Sequence, residues 1–319
     1  MYAHLLARHL DDAQWVWVCD SICTCLPLKA LLIRLQYSLV LSYEVTTPGT
    51  DFIFNIHAAQ TLQQKVLSET LSISQQLLSQ MHVDPVTHNR YLRLKAFTGP
   101  LQVRYDATVD IAHWRTAPAN LSEVHVGNLP GAVLPYLYPS RYCQSDELHK
   151  FAVTEFGHLW QGYSRVQAIC DWVQRRVKFQ SNTSNSYTTA LEILHHQVGV
   201  CRDFAHLMIA LCRAVNIPAR FATGTDYGAD PALGPPDFHA YVEVFLGDRW
   251  YIFDPSGTAI PLGFIRIGTG RDAADSAFAT IFGGVHALAP VIQIAPVAGN
   301  DGKCEEPVRI ADAISTDGA

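Results

Sequence analysis

The hydrophobic periodicity of this chain changes twice along its length, and these changes restrict its fold class. Residues 34–109 alternate apolar and polar side chains, a pattern that begins with Leu35 and Tyr37 and is typical of half-buried β-strands. Residues 163–215 instead place apolar side chains three and four positions apart, which is the spacing of amphipathic helices. Alternation returns after residue 219. Helices followed by strands predict an α+β domain, here preceded by an all-β domain.

The same patterns divide the 319 residues into five segments. They are an appendage of unknown role over residues 1–33, an N-terminal β domain over 34–115 that we expect to be a β-sandwich, a proline-bearing connector over 116–150, an α+β domain over 151–298 and a loose C-terminal tail over 299–319. Two domains suit the length of the chain, since a domain takes about 150 residues. The helices that we expect in the second domain cover residues 163–177, 188–196 and 201–215.

The composition excludes several classes of protein. Hydrophobic residues make up 49% of the chain and charged residues only 16%, which favours a compact globular protein over a disordered one. The 23 Lys and Arg against 29 Asp and Glu give a net charge of −6, so we expect no nucleic-acid partner. The apolar stretch Ala13–Ile33 is interrupted by Asp20, Pro27 and Lys29. It is too broken for a membrane span or a signal peptide, so we expect a cytoplasmic protein without a membrane partner.

The residue spacing does not point to a metal or a cofactor, and we expect neither. The eight cysteines include no C-x-x-C pair and no zinc-type spacing, which favours reduced thiols in a cytosolic protein. His195 and His196 are adjacent and so point in different directions on a helix. Asp272 and Asp275 lack the spacing of an EF-hand, and we expect them to pair with an arginine or to cap a helix.

One cysteine opens a predicted helix. Cys201 lies in the run G-V-C-R-D-F, and the free backbone N–H groups at a helix N-terminus favour a thiolate over a thiol and can form an oxyanion hole. Cys201 is therefore either a nucleophile or simply a small, half-buried residue at a helix start. Tyr187 and Gln197 are candidates for a second oxyanion donor, although each also fits an ordinary loop or helix position.

A predicted hairpin brings a histidine and an aspartate together. Two alternating runs flank Gly247-Asp248, which reads as a two-residue turn and pairs residues whose numbers sum to 495. His239 and Asp254 then become diagonal neighbours on one face of the sheet, within about 8 Å between Cβ atoms. A register slip of one residue would place them on opposite faces. Taken alone, His239 also fits a structural histidine and Asp254 a turn residue before Pro255.

These residues carry a resemblance to a known family. The run from Gly199 to Arg220, followed by His239 and by W-Y-I-F-D-P at residues 250–255, resembles the core of the transglutaminase-like superfamily of cysteine enzymes. L-S-Y-E-V at residues 41–45, D-F-I-F-N-I at 51–56 and G-R-D-A-A-D at 270–275 resemble segments of its bacterial members, which carry an N-terminal β domain. The resemblance covers about residues 34–298. Tyr241 departs from it, since many members have Trp at that position.

The resemblance implies a fold and a mechanism. The fold is a papain/transglutaminase-like core, in which helices pack on an antiparallel sheet or partial barrel. By position, Cys201 is the nucleophile, His239 the general base and acid, and Asp254 the group that orients the imidazole. We expect a cysteine peptidase or amidase that acts on a peptide or protein substrate through a thioester. A protein-glutamine transglutaminase with an amine acceptor and a non-catalytic binding module on the same fold are the alternatives.

Overall fold

The computed structural model describes residues 32–228 and 236–318. The α-helices are α1 (Ser145–Phe156), α2 (Tyr163–Arg176), α3 (Ala190–His196) and α4 (Cys201–Ala214). The strands are β1 (Leu32–Val45), β2 (Thr50–Asn55), β3 (Gln64–Ile73), β4 (Ser79–Val83), β5 (Arg90–Ala96), β6 (Gly99–Ala112), β7 (Trp114–Thr116), β8 (Lys178–Phe179), β9 (Val198–Gly199), β10 (Ala219–Asp226), β11 (His239–Leu246), β12 (Arg249–Phe253), β13 (Phe264–Gly270), β14 (Ala279–Phe282), β15 (Val285–Ala287), β16 (Val291–Pro296), β17 (Ala313–Ser315) and β18 (Asp317–Gly318).

The N-terminal domain is a sandwich of two antiparallel sheets, as the alternating pattern predicts. One sheet has the strand order β15–β1–β6–β3, with β16 also paired to β1, and the other has the order β14–β2–β5–β4. The inward side chains of both sheets form one hydrophobic core. Tyr43 of β1 packs against Phe52 of β2 with ring centroids 5.3 Å apart, which joins the two sheets. The expected β-sandwich is thus confirmed.

The second domain is built on an open antiparallel sheet with the strand order β13–β10–β11–β12–β18. Helix α4 packs on one face of this sheet, and its residues 203–214 are all buried. Helices α1, α2 and α3 contact α4. The chain therefore has the expected α+β architecture, with helices packed on an antiparallel sheet after a β-sandwich.

The five-stranded sheet is covered on both of its faces. Val242 and Phe253 lie in the hydrophobic cluster that the helices build. Tyr241 and Ile252, at alternate positions, lie instead in the cluster of the sandwich strands. Every residue of β11 is consequently buried, including its one glutamate. The sandwich thus supports the face of the sheet that the helices leave uncovered.

The last 40 residues differ from the sequence prediction in two ways. Strands β14–β16 pair with β2 and β1, so residues 279–296 belong to the sandwich although they follow the second domain in sequence. The prediction of a loose tail over residues 299–319 is also wrong for residues 313–318. Strand β17 pairs with β7, and β18 pairs with β12. Local periodicity cannot reveal either pairing, because the partner strands lie far away in sequence.

The predicted connector over residues 116–150 ends in a helix. Helix α1 begins at Ser145, and its buried Leu148, Ala152 and Phe156 recur every four residues. The prolines before it hide this short pattern. The remainder of the connector contains three short 3₁₀ turns.

The appendage expected over residues 1–33 lies outside the described residues as far as residue 31. Its last two residues, Leu32 and Ile33, begin β1. Cys19, Cys23, Cys25 and most of the apolar stretch Ala13–Ile33 share that position outside the described ranges. Within residues 32–228 and 236–318, no helix has the length and apolar character needed to cross a membrane.

A cluster of buried charges fastens the C-terminal residues to the sheet. Glu243 of β11 is fully buried and accepts hydrogen bonds from Arg220 of β10, at 2.7 Å, and from Arg266 of β13. Asp317 accepts hydrogen bonds from the same two arginines, at 2.5 and 3.0 Å. The Arg220 guanidinium also lies over the Trp250 ring, 4.2 Å from its centroid. The two carboxylates balance the two arginines, which allows the sheet to be buried on both faces.

This balance predicts a large loss of stability when one member is removed. Glu243→Gln leaves two arginines with reduced compensation, and we expect the free energy of unfolding to fall by about 3–5 kcal/mol. Chemical denaturation at pH 7 measures the change. Asp106→Asn is the matched control, since Asp106 pairs with the half-exposed Arg104 and its loss changes stability little. Equal effects of the two substitutions would contradict the structural role of Glu243.

Candidate functional site

The hairpin register that the sequence predicts is the one in the structure. Strand β11 pairs with β12 through Val242↔Phe253, Phe245↔Trp250 and Leu246↔Arg249, and each pair sums to 495. Gly247 has φ +60°, the left-handed conformation that a two-residue hairpin turn needs at its first position. His239 and Asp254 therefore lie on the same face, as predicted.

Asp254 is held rigidly beside the imidazole of His239. Its Oδ1 lies 3.4 Å from His239 Nε2 and accepts hydrogen bonds from the backbone N–H and hydroxyl of Ser256, at 3.0 and 2.6 Å. Its Oδ2 accepts the backbone N–H of Ala259 at 3.0 Å. Burial alone would raise the pKa of Asp254, but His239 and these donors hold that pKa below its usual value. Asp254 is thus a fixed carboxylate that can orient the ring.

Cys201 begins α4 and reaches the first residues of β11. Its Sγ lies 4.0 Å from the carbonyl oxygen of Phe238, and the backbone N–H of Ala240 is near enough to lower the pKa of the thiol. Phe238 and Ala240 are the two neighbours of His239 in sequence. The helix start itself is fixed by Asp203, whose carboxylate accepts the backbone N–H of Val200 at 2.9 Å. The structure therefore brings Cys201 close to His239 and Asp254 at the N-terminal end of β11, the central strand of the sheet.

The surroundings of Cys201 oppose the thiolate that the sequence analysis expects. Burial raises the pKa of its thiol to about 12, and the carboxylates of Asp237 and Asp254 act in the same direction. The backbone N–H groups of Ala240 and Arg202 lower the pKa but do not offset burial. Desolvation of the sulfur thus favours the thiol, whereas the helix N-terminus favours the thiolate.

The imidazole of His239 has a second carboxylate beside it. Burial alone would lower the pKa of His239, but Asp254, Asp226 and Asp237 together raise it above its ordinary value. Asp226 Oδ1 lies 3.8 Å from Nδ1, and the Tyr241 ring packs against the imidazole with centroids 4.7 Å apart. The sequence analysis missed Asp226, because it ended the strand at residue 222 and β10 runs four residues further.

The structure does not add the two candidate oxyanion donors to this site. The Tyr187 side chain is 75% exposed, and its backbone N–H hydrogen-bonds to Asn185. Gln197 ends α3 with φ +59°, and its side-chain amide faces Arg176. Both residues therefore have local structural roles.

The remaining polar candidates also lie in structural positions. Asp275 pairs with Arg271 at 2.8 Å, and Asp272 accepts the backbone N–H groups of Tyr142 and Ala274 at 2.9 Å. Asp275 thus has the expected arginine partner, whereas Asp272 binds backbone N–H groups of turns and caps no helix. Within the described ranges, no group of three His, Cys, Asp or Glu side chains is arranged to hold a metal ion, and that includes the surroundings of His195 and His196.

Comparisons with known proteins relate both domains to one family. Residues 154–255 match the transglutaminase-like superfamily, and residues 33–132 match the N-terminal domain of bacterial transglutaminases. The crystal structure of a candidate cysteine protease from Cytophaga hutchinsonii is 37% identical in sequence and superposes with a TM-score of 0.82. That match covers 89% of this chain and 97% of the Cytophaga chain.

Shorter matches come from mycobacteria. A protein of Mycobacterium leprae described as uncharacterized is 31% identical over 117 residues, which is 35% of this chain and 42% of that protein. A similar protein of Mycobacterium tuberculosis is 32% identical over 108 residues, which is 30% of this chain and 34% of its own length. These matches span less than half the length of the curated relatives. The two domain matches and the structural relative together show that the chain belongs to the transglutaminase-like superfamily and carries the N-terminal β domain of its bacterial members.

Proposed function

We propose that this protein is a cysteine peptidase or amidase, which hydrolyses a peptide or carboxamide bond through a thioester intermediate. The observation that carries the proposal is the arrangement at the start of β11. There a helix-opening cysteine lies against the neighbours of a histidine, and a fixed carboxylate holds the Nε2 side of that histidine. This arrangement supports Cys201 as the nucleophile, His239 as the base and Asp254 as the orienting group.

The chemistry follows from these positions. As Cys201 Sγ attacks the substrate carbonyl carbon, its proton moves to Nδ1 of His239, and the carbonyl oxygen takes the negative charge. The backbone N–H groups at the start of α4 stabilise that oxyanion. The imidazolium then protonates the departing amine as the C–N bond breaks, which leaves an acyl thioester on the sulfur. Water, deprotonated by His239, attacks the thioester, releases the acid and restores the thiol.

Hydrolysis is our first choice among the acyl acceptors, because the 37% identical structural relative is described as a candidate cysteine protease. We propose a peptide or protein as the substrate, and we propose a cytoplasmic enzyme without a nucleic-acid or membrane partner on the basis of its composition and charge. Transfer to an amine, as in a transglutaminase, uses the same thioester and differs only in the last step.

Single substitutions at the site test the proposed roles. We expect Cys201→Ala and His239→Ala to abolish the cleavage of a peptide library, as mass spectrometry detects it. Asp254→Asn keeps the shape of the orienting residue but removes its charge, and we expect turnover to fall by about 10²–10⁴-fold. Asp275→Asn, in the surface pair with Arg271, is the control and retains activity. Circular dichroism confirms that each variant is folded.

Mass spectrometry also identifies the acyl acceptor. A hydrolysed peptide appears as two fragments or as a deamidated product, whereas transfer adds the mass of a primary amine supplied in the assay. Incorporation of the amine without hydrolysis would overturn the proposed peptidase and favour a transglutaminase. A Cys201→Ala variant that retains full biological activity would favour the binding module.

The protonation states predict how Cys201 reacts without substrate. Because burial raises the pKa of its thiol, we expect iodoacetamide to modify Cys201 at pH 7 more slowly than the exposed Cys304, with a rate that increases as the pH rises. His239→Ala removes the group that accepts the thiol proton, and we expect a further decrease below pH 8. Peptide mapping of each cysteine measures both rates. A Cys201 that reacts faster than Cys304 at pH 6 would contradict the neutral thiol.

A further inference from the structure

A second carboxylate faces the imidazole of His239 from the side opposite Asp254. Asp226 Oδ1 lies 3.8 Å from Nδ1, and Asp254 Oδ1 lies 3.4 Å from Nε2. Both carboxylates are almost inaccessible, with 2% and 4% of their side chains exposed. The ring of His239 therefore lies between two buried carboxylates, and the proposed function uses only one of them.

The sheet places Asp226 by the same geometry that places Asp254. In the register of β10 and β11, Gly224 lies opposite His239, so Asp226 is the diagonal neighbour of the histidine. Gly224 itself lies tightly against the neighbouring strand β13. A Cβ at that position would lie 2.0 Å from the carbonyl oxygen of Ile265 and 2.4 Å from the Phe264 ring. A larger residue is therefore excluded there.

Asp226 has no arginine or lysine partner among the described residues, and its Oδ2 is buried without a hydrogen bond. Burial raises its pKa to about 6, although His239 opposes the shift, and the negative charge of Asp254 adds to it. A carboxylate whose pKa is higher in the folded than in the unfolded protein destabilises the fold as the pH rises from about 4 to 6. Asp226 therefore weakens the fold at neutral pH, which is typical of a functional group and not of a structural ion pair.

The carboxylates around the site differ in whether they act mainly on the pKa of the Cys201 thiol or on the pKa of the His239 imidazole. The charges that raise the pKa of the Cys201 thiol most are those of Asp237 and Asp254. Asp226 is instead prominent among the charges that favour the protonated form of His239. Its carboxylate thus stabilises the imidazolium more than it opposes the thiolate.

We propose that Asp226 is a positioning residue for acyl transfer, which holds the Nδ1 side of His239 and stabilises the imidazolium formed when the ring takes the proton of Cys201. The inference rests on the proposed function and extends it to a second carboxylate. The transfer itself is balanced within the protein, since the S–H bond breaks as the N–H bond forms. Asp226 neither gains nor loses a covalent bond.

The role of Asp226 gives the site a dependence on pH. The other charged or titratable groups that face this part of the site are Tyr241 of β11, Asp254 after β12, Asp237 before β11 and Cys201 of α4, while β13 contributes the uncharged Phe264. Below about pH 6, Asp226 takes a proton and its stabilisation of the imidazolium is lost. The reactivity of Cys201 therefore acquires an acid limb near pH 6.

Alkylation of Cys201 tests this without a known substrate. The rate of modification by iodoacetamide is measured by peptide mapping from pH 5 to 9 in the wild type, Asp226→Asn, Asp237→Asn and His239→Ala. We expect Asp226→Asn to react about tenfold more slowly at pH 7, which corresponds to one pKa unit of His239, and to lose the acid limb near pH 6. Asp237→Asn is the control for a change of charge at an exposed carboxylate, and we expect a small, salt-sensitive effect.

The outcomes separate the two proposals. A wild-type Cys201 that reacts no faster than Cys201 in His239→Ala would overturn the proposed function and, with it, the role of Asp226. If the alkylation rate of Cys201 depends on His239 but has the same pH profile in Asp226→Asn as in the wild type, only the role of Asp226 is overturned. Thermal unfolding gives an independent readout. We expect Asp226→Asn to raise the Tm at pH 8 but not at pH 4, and a lower Tm at pH 8 would make Asp226 a structural residue.

If Asp226→Asn does not fold, NMR of the His239 ring in the wild-type protein tests the same inference. In protein labelled with ¹⁵N-histidine, the His239 signals are those absent from His239→Ala. We expect the neutral ring at high pH to carry its proton on Nε2, beside Asp254, and Nδ1 to take up a second proton at a pH above the ordinary pKa of a histidine. Protonation of Nδ1 only at or below that ordinary pKa would overturn the inference.

Discussion

The antiparallel register of β11 and β12 is the constraint on which the candidate site depends. It makes His239 and Asp254 diagonal neighbours, and a slip of one residue would separate them to opposite faces. The same slip would also turn Glu243 away from its two arginines and into the apolar contact with α4. The hydrophobic core and the site therefore depend on one register, and the core fixes it far more strongly than the contact between His239 and Asp254 could alone.

The N-terminal sandwich supports the same sheet from its other face. Tyr241 of β11 packs on the imidazole of His239 and lies in the hydrophobic cluster that the sandwich strands share, so the sandwich supports a direct neighbour of the site. The charge cluster of Glu243, Arg220 and Arg266 lets the polar positions of these strands be buried as well. Such burial on both faces excludes water from the surroundings of His239, and it is the reason that the nearby carboxylates act strongly on the ring.

Sequence patterns could predict the features that depend on neighbours along the chain. Alternation located β1, β2, β3, β5 and β6 of the sandwich. The 3.6-residue period located α2 and α4, and the turn at Gly247 fixed the hairpin register. The features that escaped depend on distant partners. The pairing of β16 with β1 and the capture of Asp317 by two arginines leave no local signal. Asp226 escaped for another reason, since the predicted strand ended at residue 222, four residues before the end of β10.

The charge of Cys201 shows how burial changes a local rule. A helix N-terminus favours a thiolate in a solvated site, but here burial of the sulfur is the largest effect on its pKa, and it favours the thiol. The carboxylates around His239 compensate by making the ring a stronger base. In the function we propose, the sulfur becomes a nucleophile when its proton moves to the ring. Because a neutral thiol reacts slowly with oxidants and alkylating agents, such a site would restrict the reactivity of Cys201 to a carbonyl group bound at the start of α4.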